Sequence, residues 1–362
     1  WFGKRDDDFS GLGDWQVNED KLGMPFEKLI EEMKSYGLLF GLWVEPEMIS
    51  EDSELYRQHP DWVLKVPERN PIRSRYQLVL NLADDEVVDY LYESLSNLLQ
   101  QYEIDYIKWD FNRSLENVYS QKHRPKEQGM VSHDYILGLY RLLERIHQNF
   151  PDLLLESCSG GGGRFDAGML HYSSQVWLSD NTDAIDRLAI QEGSSYGYPI
   201  CAMGSHISVV PNHQTGRSVP METRNIVAMS GSFGYELDLE SMKEEEFQQI
   251  RGQIARFKNY YDLIHHGHYY RLVTSRQEKE FVAWMFVRED QKEALVNVVF
   301  LQSHGNPLTK YLRLQGLDPK QQYIVNENRV ISGSQLMYAG IVLPNRSGDY
   351  QSVQMHLTSP LY

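Results

Sequence analysis

Cysteine is scarce in this chain. Its two cysteines, Cys158 and Cys201, fall inside apolar stretches and show no framework spacing, which excludes a disulfide scaffold and fits a reducing compartment or indifference to redox. Basic charge is also short. Against 51 Asp and Glu stand 35 Lys and Arg, a formal net charge of −16 that disfavours nucleic acid or another polyanion as partner. No apolar run approaches the length that crosses a bilayer, so no membrane role is expected. The chain opens on Trp1 with neither a methionine nor a recognisable signal peptide, and the expectation is a fragment of a longer, cytoplasmic protein. What it has in quantity is aromatic surface: seven Trp and twenty-three Tyr offer flat faces that suit both core packing and sugar rings.

Its 362 residues suffice for one barrel-sized domain and a smaller one. Strand and helix patterns alternate from about residue 26 to 268. Strands are expected at 38–45, 76–82, 104–110, 153–158, 175–180, 200–210 and 233–239. Amphipathic helices are expected after Pro25 and ending at Gly37, then over 83–101, 133–150 and 243–265. Polar residues stand at the C-terminal ends of most strands: Glu45, Asp110, Cys158, Asp180 and His206. A doubly wound sheet would gather them at one switch point. Spread over many strand ends, they fit an α/β fold of the (β/α)8 TIM barrel type, with the first strand expected before Trp1. The roughly thirty residues 47–75 show no period, the signature of a functional or disordered loop. From Tyr269 the texture changes to short alternating strands such as FVAWMFV and ALVNVVF, expected to form a C-terminal antiparallel β-sandwich. The expected domains are therefore 1–268 and 269–362.

The stretch IDYIKWDFNR, residues 104–113, carries the chemistry. Alternation puts Ile104, Tyr106, Lys108, Asp110 and Asn112 on one strand face and Ile107 and Trp109 on the other. A lysine two residues ahead of an aspartate on the inward face suggests a polar cavity in which proximity keeps both charges ionised. An ionised, oriented carboxylate is a nucleophile, although a structural ion pair at a strand end fits the same residues. The segment SDNTDAIDR offers a second carboxylate. Asp180 is the strand-end group, Asp183 is placed to cap the helix from Ala184, and Asp186 to pair with Arg187 or a neighbour. Two strand-end carboxylates facing one cavity match the two-carboxylate plan of glycoside hydrolysis, with Lys108 holding Asp110 ionised and Asp180 as the acid.

Six ordered runs, GLWVEPEM (41–48), KWDFNR (108–113), ESCSGGGGRFD (156–166), WLSDNTDAIDR (177–187), PNHQTGR (211–217) and FGYELDL (233–239), resemble the barrel signatures of the glycoside hydrolase family 36 α-galactosidases. The resemblance spans Trp1 to about Tyr270. It implies a retaining hydrolase that removes terminal α-1,6-linked galactose from melibiose, raffinose and stachyose, commonly as a homotetramer. It implies Asp110 as nucleophile, Asp180 as acid/base, and sugar contacts from Trp43, Arg75, Lys108, Asn112, Cys158 and Gly160. It also implies two aspartates and a glycine just before Trp1, together with an N-terminal β-sandwich, none of which this sequence contains.

Competing readings are separable. The glycine run 160–163 follows a strand, but the third position of a dinucleotide fingerprint falls on Phe165 or Asp166, so a nicotinamide cofactor is not expected. His206 and His213 lie seven apart without converging carboxylates, so no metal is expected and both are assigned structural hydrogen bonding. An α-N-acetylgalactosaminidase or a galactosyltransferase of the same fold would differ in the pocket at C2 or in the acceptor. A catalytically inactive galactoside-binding fragment would bind galactose without turning over a chromogenic galactoside.

Overall fold

Four short parallel strands, in the order Gly41–Val44, Tyr106–Trp109, Leu154–Ser157 and Gln175–Trp177, carry the first of two units into which the chain divides, Trp1–Trp177. The computed structural model describes residues 1–276 and 279–359; residues 277–278 and 360–362 of the expected C-terminal domain lie outside them. Helices connect the strands because their apolar residues recur at three- and four-residue steps. In Asp85–Gln101 the buried stripe is Val87, Val88, Leu91, Leu95, Leu98 and Leu99, and in Val131–Asn149 it includes Tyr135, Leu139, Leu142, Leu143 and Ile146. Asp84 caps the first of these by accepting the Glu86 N–H. Gly37, at φ 75°, ends Phe26–Ser35 where the sequence places it, returning its N–H to Lys34 O at 2.9 Å.

The parallel register sets side chains in layers. Trp43 lies opposite Lys108, Lys108 opposite Glu156, and Glu156 opposite Gln175. Two residues further along their strands come Glu45, Asp110 and Cys158. The reverse face is apolar: Ile107 and Trp109 are fully buried with Leu142, Leu143 and Leu155 in the unit's core. Gly41 is required where it stands, because a Cβ there would lie 2.8 Å from the Tyr106 ring.

One expected barrel strand is not there. Residues 77–82 are buried and Tyr76 is exposed, but only Leu78–Val79 forms a ladder, and it is antiparallel to Met48–Ile49. Its backbone groups are claimed by the preceding loop: Leu80 N donates to Glu47 O, Asn81 N to Trp62 O, and Leu64 N to Val79 O. The thirty-residue stretch read as loop is thus partly ordered, with the helix Glu54–Gln58 capped by Ser53 and a tight turn over Ser74–Gln77 in which Arg75 and Tyr76 both take positive φ.

The second unit, from Leu178 onward, contains two further parallel strands, Met203–Ser208 and Ser232–Glu236, with the helices Ala184–Ser194 and Met221–Ala228. The strand expected over 200–210 starts later, since Ile200–Ala202 forms a 3-10 turn behind Pro199. The helix Glu244–His266 then leads into a six-stranded antiparallel sheet, ordered Arg329–Ser332, Gln322–Val325, Ser352–Thr358, Glu293–Phe300, Phe281–Val287 and His268–Val273. Phe281–Val287 is buried on both faces. Phe281, Ala283, Met285 and Val287 pack in a cluster with Leu312, Leu336, Ile341 and Leu343, and on the other face Trp284 donates its indole N–H to Ser230 Oγ at 2.7 Å.

Candidate active site

Asp110 is the buried carboxylate at the mouth of the Tyr106–Trp109 strand, 7% exposed. Its Oδ1 accepts the Phe111 N–H at 2.9 Å, and its Oδ2 accepts the Trp43 indole N–H at 3.0 Å and the Asn112 side-chain amide at 2.6 Å. The Cys158 thiol also donates to this carboxylate. Trp43, Asn112 and Cys158, three of the residues expected around a sugar, therefore converge on Asp110. Burial, reinforced by the Asp110 charge and that hydrogen bond, pushes the Cys158 thiol well above its usual range, so it is a neutral donor.

Lys108 departs from its expected role. Its Nζ pairs with Glu156 Oε1 at 3.1 Å rather than with Asp110, because parallel register places Lys108 and Glu156 side by side whereas Asp110 lies one layer on. Burial pulls the lysine down, but the Glu156 carboxylate, with a smaller contribution from Asp110, outweighs it, so its pKa is raised. Nζ also lies 4.7 Å from the centroid of the Trp177 ring, within cation–π distance. Glu156 is fixed from its other side by the Tyr106 hydroxyl and by Gln175 Nε2 at 2.5 Å. Neither Glu156, Tyr106 nor Gln175 stands out in the sequence as part of the site. The signal was the alternation that puts Tyr106 on the Lys108 face and Glu156 on the Cys158 face.

Glu45 is a second buried carboxyl group in the Asp110 layer. It is 1% exposed, accepts the Asn112 backbone N–H at 2.9 Å and the Gln77 side-chain amide at 3.1 Å, and its pKa is pushed up to about 7 by burial and by Asp110. Arg75 is exposed at the tip of its turn and acts on Glu45 as a favourable charge. Arg113, the last residue of KWDFNR, reaches back to hold that turn, donating to Ile72 O at 3.0 Å and Gln77 O at 2.6 Å. Gly160 lies exposed in the loop after Leu154–Ser157 with φ 53°, and no neighbour would crowd a Cβ there; the loop is closed by Ser159 N donating to Gly161 O at 2.7 Å. Beneath it, fully buried Glu47 accepts Trp109 Nε1 at 2.9 Å, the Tyr135 hydroxyl at 2.6 Å and Arg164 at 2.8 Å.

In the second unit Asp180 is exposed, in the bend ahead of Ala184–Ser194. Its charge, with that of Glu236, acts on the buried Arg187 guanidinium, which desolvation nevertheless lowers to about 10. Asp183 caps the helix as expected, accepting Ile185 N at 2.8 Å and Asp186 N at 3.1 Å, and also holds the Arg217 guanidinium. Asp186 pairs with Arg217 at 3.1 Å, which bridges both aspartates from the 211–217 loop; no bond to Arg187 is needed to account for it. His206 Nδ1 is 4.0 Å from Glu236 Oε2, and His213 is exposed on the loop. Among the described residues no three His, Cys, Asp or Glu side chains group as a metal site, and no helix is long and apolar enough to cross a membrane.

A buried strand-end carboxylate ringed by Trp43, Asn112 and Cys158 is a site that can be compared with known proteins. The family model described as Melibiase matches residues 1–267, and that of the glycosyl hydrolase family 36 C-terminal domain matches residues 281–357. The chain belongs to the melibiase family, glycoside hydrolase family 36. It is 51% identical over 359 residues to the bifunctional α-galactosidase/sucrose kinase AgaSK of Mediterraneibacter gnavus, covering 99% of this chain and 37% of that protein. The crystal structure of the family 36 α-galactosidase AgaA of Geobacillus stearothermophilus superposes with a TM-score of 0.97 at 49% identity, covering 99% of this chain and 50% of that one. A variant of AgaA in complex with raffinose gives 0.97 at 48%, with the same coverage. This family 36 chain therefore spans about half the length, or less, of the relatives it matches. Its fold class is that of the family 36 enzymes: the (β/α)8 barrel type, followed by an antiparallel β domain.

Proposed function

We propose that the protein containing this chain is a retaining α-galactosidase that releases terminal α-1,6-linked galactose from melibiose, raffinose and stachyose. The observation that carries the reading is Asp110, whose oxygens accept three N–H donors so that the carboxylate is aimed rather than mobile. In this reading Asp110 attacks the anomeric carbon and forms a galactosyl ester while Asp180 protonates the departing glycosidic oxygen. Asp180 then takes a proton from water, which opens the ester and restores Asp110. Trp43 presents a ring face to the sugar, Lys108, Arg75 and Asn112 donate to its hydroxyls, and the small Cys158 and the exposed backbone of Gly160 leave room at C2. The raffinose bound by the AgaA variant supports an oligosaccharide substrate.

The reading extends to a catalytic region over 1–268, a C-terminal β domain over 269–362, a homotetramer and a cytoplasmic location. These rest on the family and on free rather than disulfide-bonded cysteines.

The experiment is proton NMR of the full-length protein acting on melibiose. First release of α-galactose supports retention, and Asp110→Ala is expected to lower turnover by about a thousandfold or more while leaving galactose binding measurable. Release of β-galactose first, or normal turnover by Asp110→Ala, refutes it.

A further inference from the structure

Glu45 has no part in the steps above, yet it is buried beside the group that attacks. One residue bridges the two acids: the Asn112 backbone N–H goes to Glu45 Oε1 at 2.9 Å, and the Asn112 side-chain amide goes to Asp110 Oδ2 at 2.6 Å. The other Glu45 oxygen, Oε2, accepts Gln77 Nε2 at 3.1 Å. Gln77 is itself pinned, its main-chain carbonyl taken by Arg113 at 2.6 Å, and its side-chain oxygen is buried without a partner. An unpartnered buried acceptor is costly. A proton on Glu45 Oε2, with the Gln77 amide turned over, would satisfy it. The charged groups acting on Glu45 are Asp110 in its own layer and Arg75 on the turn next to Gln77, and with burial they push its pKa up to about 7.

We propose that Glu45 is a positioning residue for the Asp110 reaction: its carboxyl group anchors the Asn112 backbone, and through the Asn112 amide fixes the direction in which Asp110 presents its attacking oxygen. The inference rests on Asp110 as nucleophile. Without the anchor, the turn Asp110–Asn112 loses its outer support, the Asn112 amide drifts, and Asp110 keeps the Phe111, Trp43 and Cys158 bonds but loses the donor that fixes Oδ2 from the turn. A misplacement of about an ångström at a reacting atom costs on the order of a hundredfold in rate.

Glu45→Ala and Glu45→Gln are made in the full-length protein and assayed on an aryl α-galactoside from acid to alkaline pH, with thermal melting to check folding. Glu45→Ala is expected to lower kcat by about tenfold to a hundredfold with KM little changed. Glu45→Gln is expected to restore most of kcat, because its amide oxygen can accept the Asn112 N–H and, once the Gln77 amide turns over, the Gln77 oxygen can accept its N–H. Wild type is expected to show an inflection near pH 7 in kcat, and the glutamine variant to lack it. A Glu45→Ala enzyme with unchanged kcat overturns the proposal, as does an inflection near pH 7 that persists in Glu45→Gln. Should Glu45→Ala not fold, the glutamine pH profile decides. If wild type releases no galactose, the functional reading falls with it, whereas an active wild type with an indifferent Glu45→Ala sinks this inference alone.

Discussion

Lys108 and Glu156 face each other across neighbouring parallel strands, with Nζ 3.1 Å from Oε1. The amine therefore has its own counter-charge on the next strand, and Asp110 is held by neutral N–H donors instead.

Removing that partner leaves a largely desolvated ammonium against an apolar ring. Glu156→Ala is expected to destabilise the first unit by about 2–4 kcal/mol, with the double variant Lys108→Met/Glu156→Ala recovering part of the loss. Urea unfolding of wild type, Glu156→Ala, Lys108→Met and the double variant measures it, and additive losses would remove the pairing as the cause.

Glu45 gives the protein a pH dependence of definite sign. Its folded pKa, about 7, lies above the ordinary value of 4.5, so the folded state holds a proton that the unfolded chain has released across that window. Its effect on stability is therefore absent below about pH 4.5 and grows to a loss of roughly 3 kcal/mol above pH 7. Urea midpoints at pH 5 and pH 8 should fall in wild type and differ much less in Glu45→Gln.

Gly138 lets the helix Val131–Asn149 press against the backbone that leads into Asp85–Gln101. A Cβ there would sit 1.8 Å from the Leu82 carbonyl oxygen, at the entrance to Asp85–Gln101. Gly138→Ala gains helix propensity in Val131–Asn149 but forces the helix off its neighbour, and a net loss of about 2–3 kcal/mol is expected. A thermal midpoint at or above that of wild type would show that the helix can move off the Leu82 backbone without cost.

Cys158 is expected to resist alkylation. It is 2% exposed and its thiol is held in the neutral form, so iodoacetamide should leave it unmodified in the native protein and label it once urea unfolds the chain. Peptide mass mapping distinguishes it from Cys201.

Much of the architecture was legible in the sequence because it is periodic. Helices such as Val131–Asn149, the cap Asp183 and the terminating Gly37 fall where apolar spacing and terminal residues put them. The segment 76–82 misled because buried loop strands and buried barrel strands share one composition: Leu78 and Val79 are as apolar as a barrel strand, and only the partners that claim their backbone tell the two apart. In the site, alternation along one strand correctly set Lys108 and Asp110 on the same face. It could not show that Glu156 would be nearer to Lys108, since register between strands is a property of the sheet and not of either sequence. Glu45 was visible as a strand-end acid, but its tie to Asn112 spans sixty-seven positions and left no local mark.

Glu47 collects an indole from a strand, a phenol from a helix and a guanidinium from the glycine loop. Transplanting that loop from a relative would carry Arg164's replacement into a socket formed by Glu47 and its two other donors. Such a graft succeeds as a module only if the acid, the tyrosine and the tryptophan travel with it, which makes this patch a practical boundary for engineering by exchange of parts.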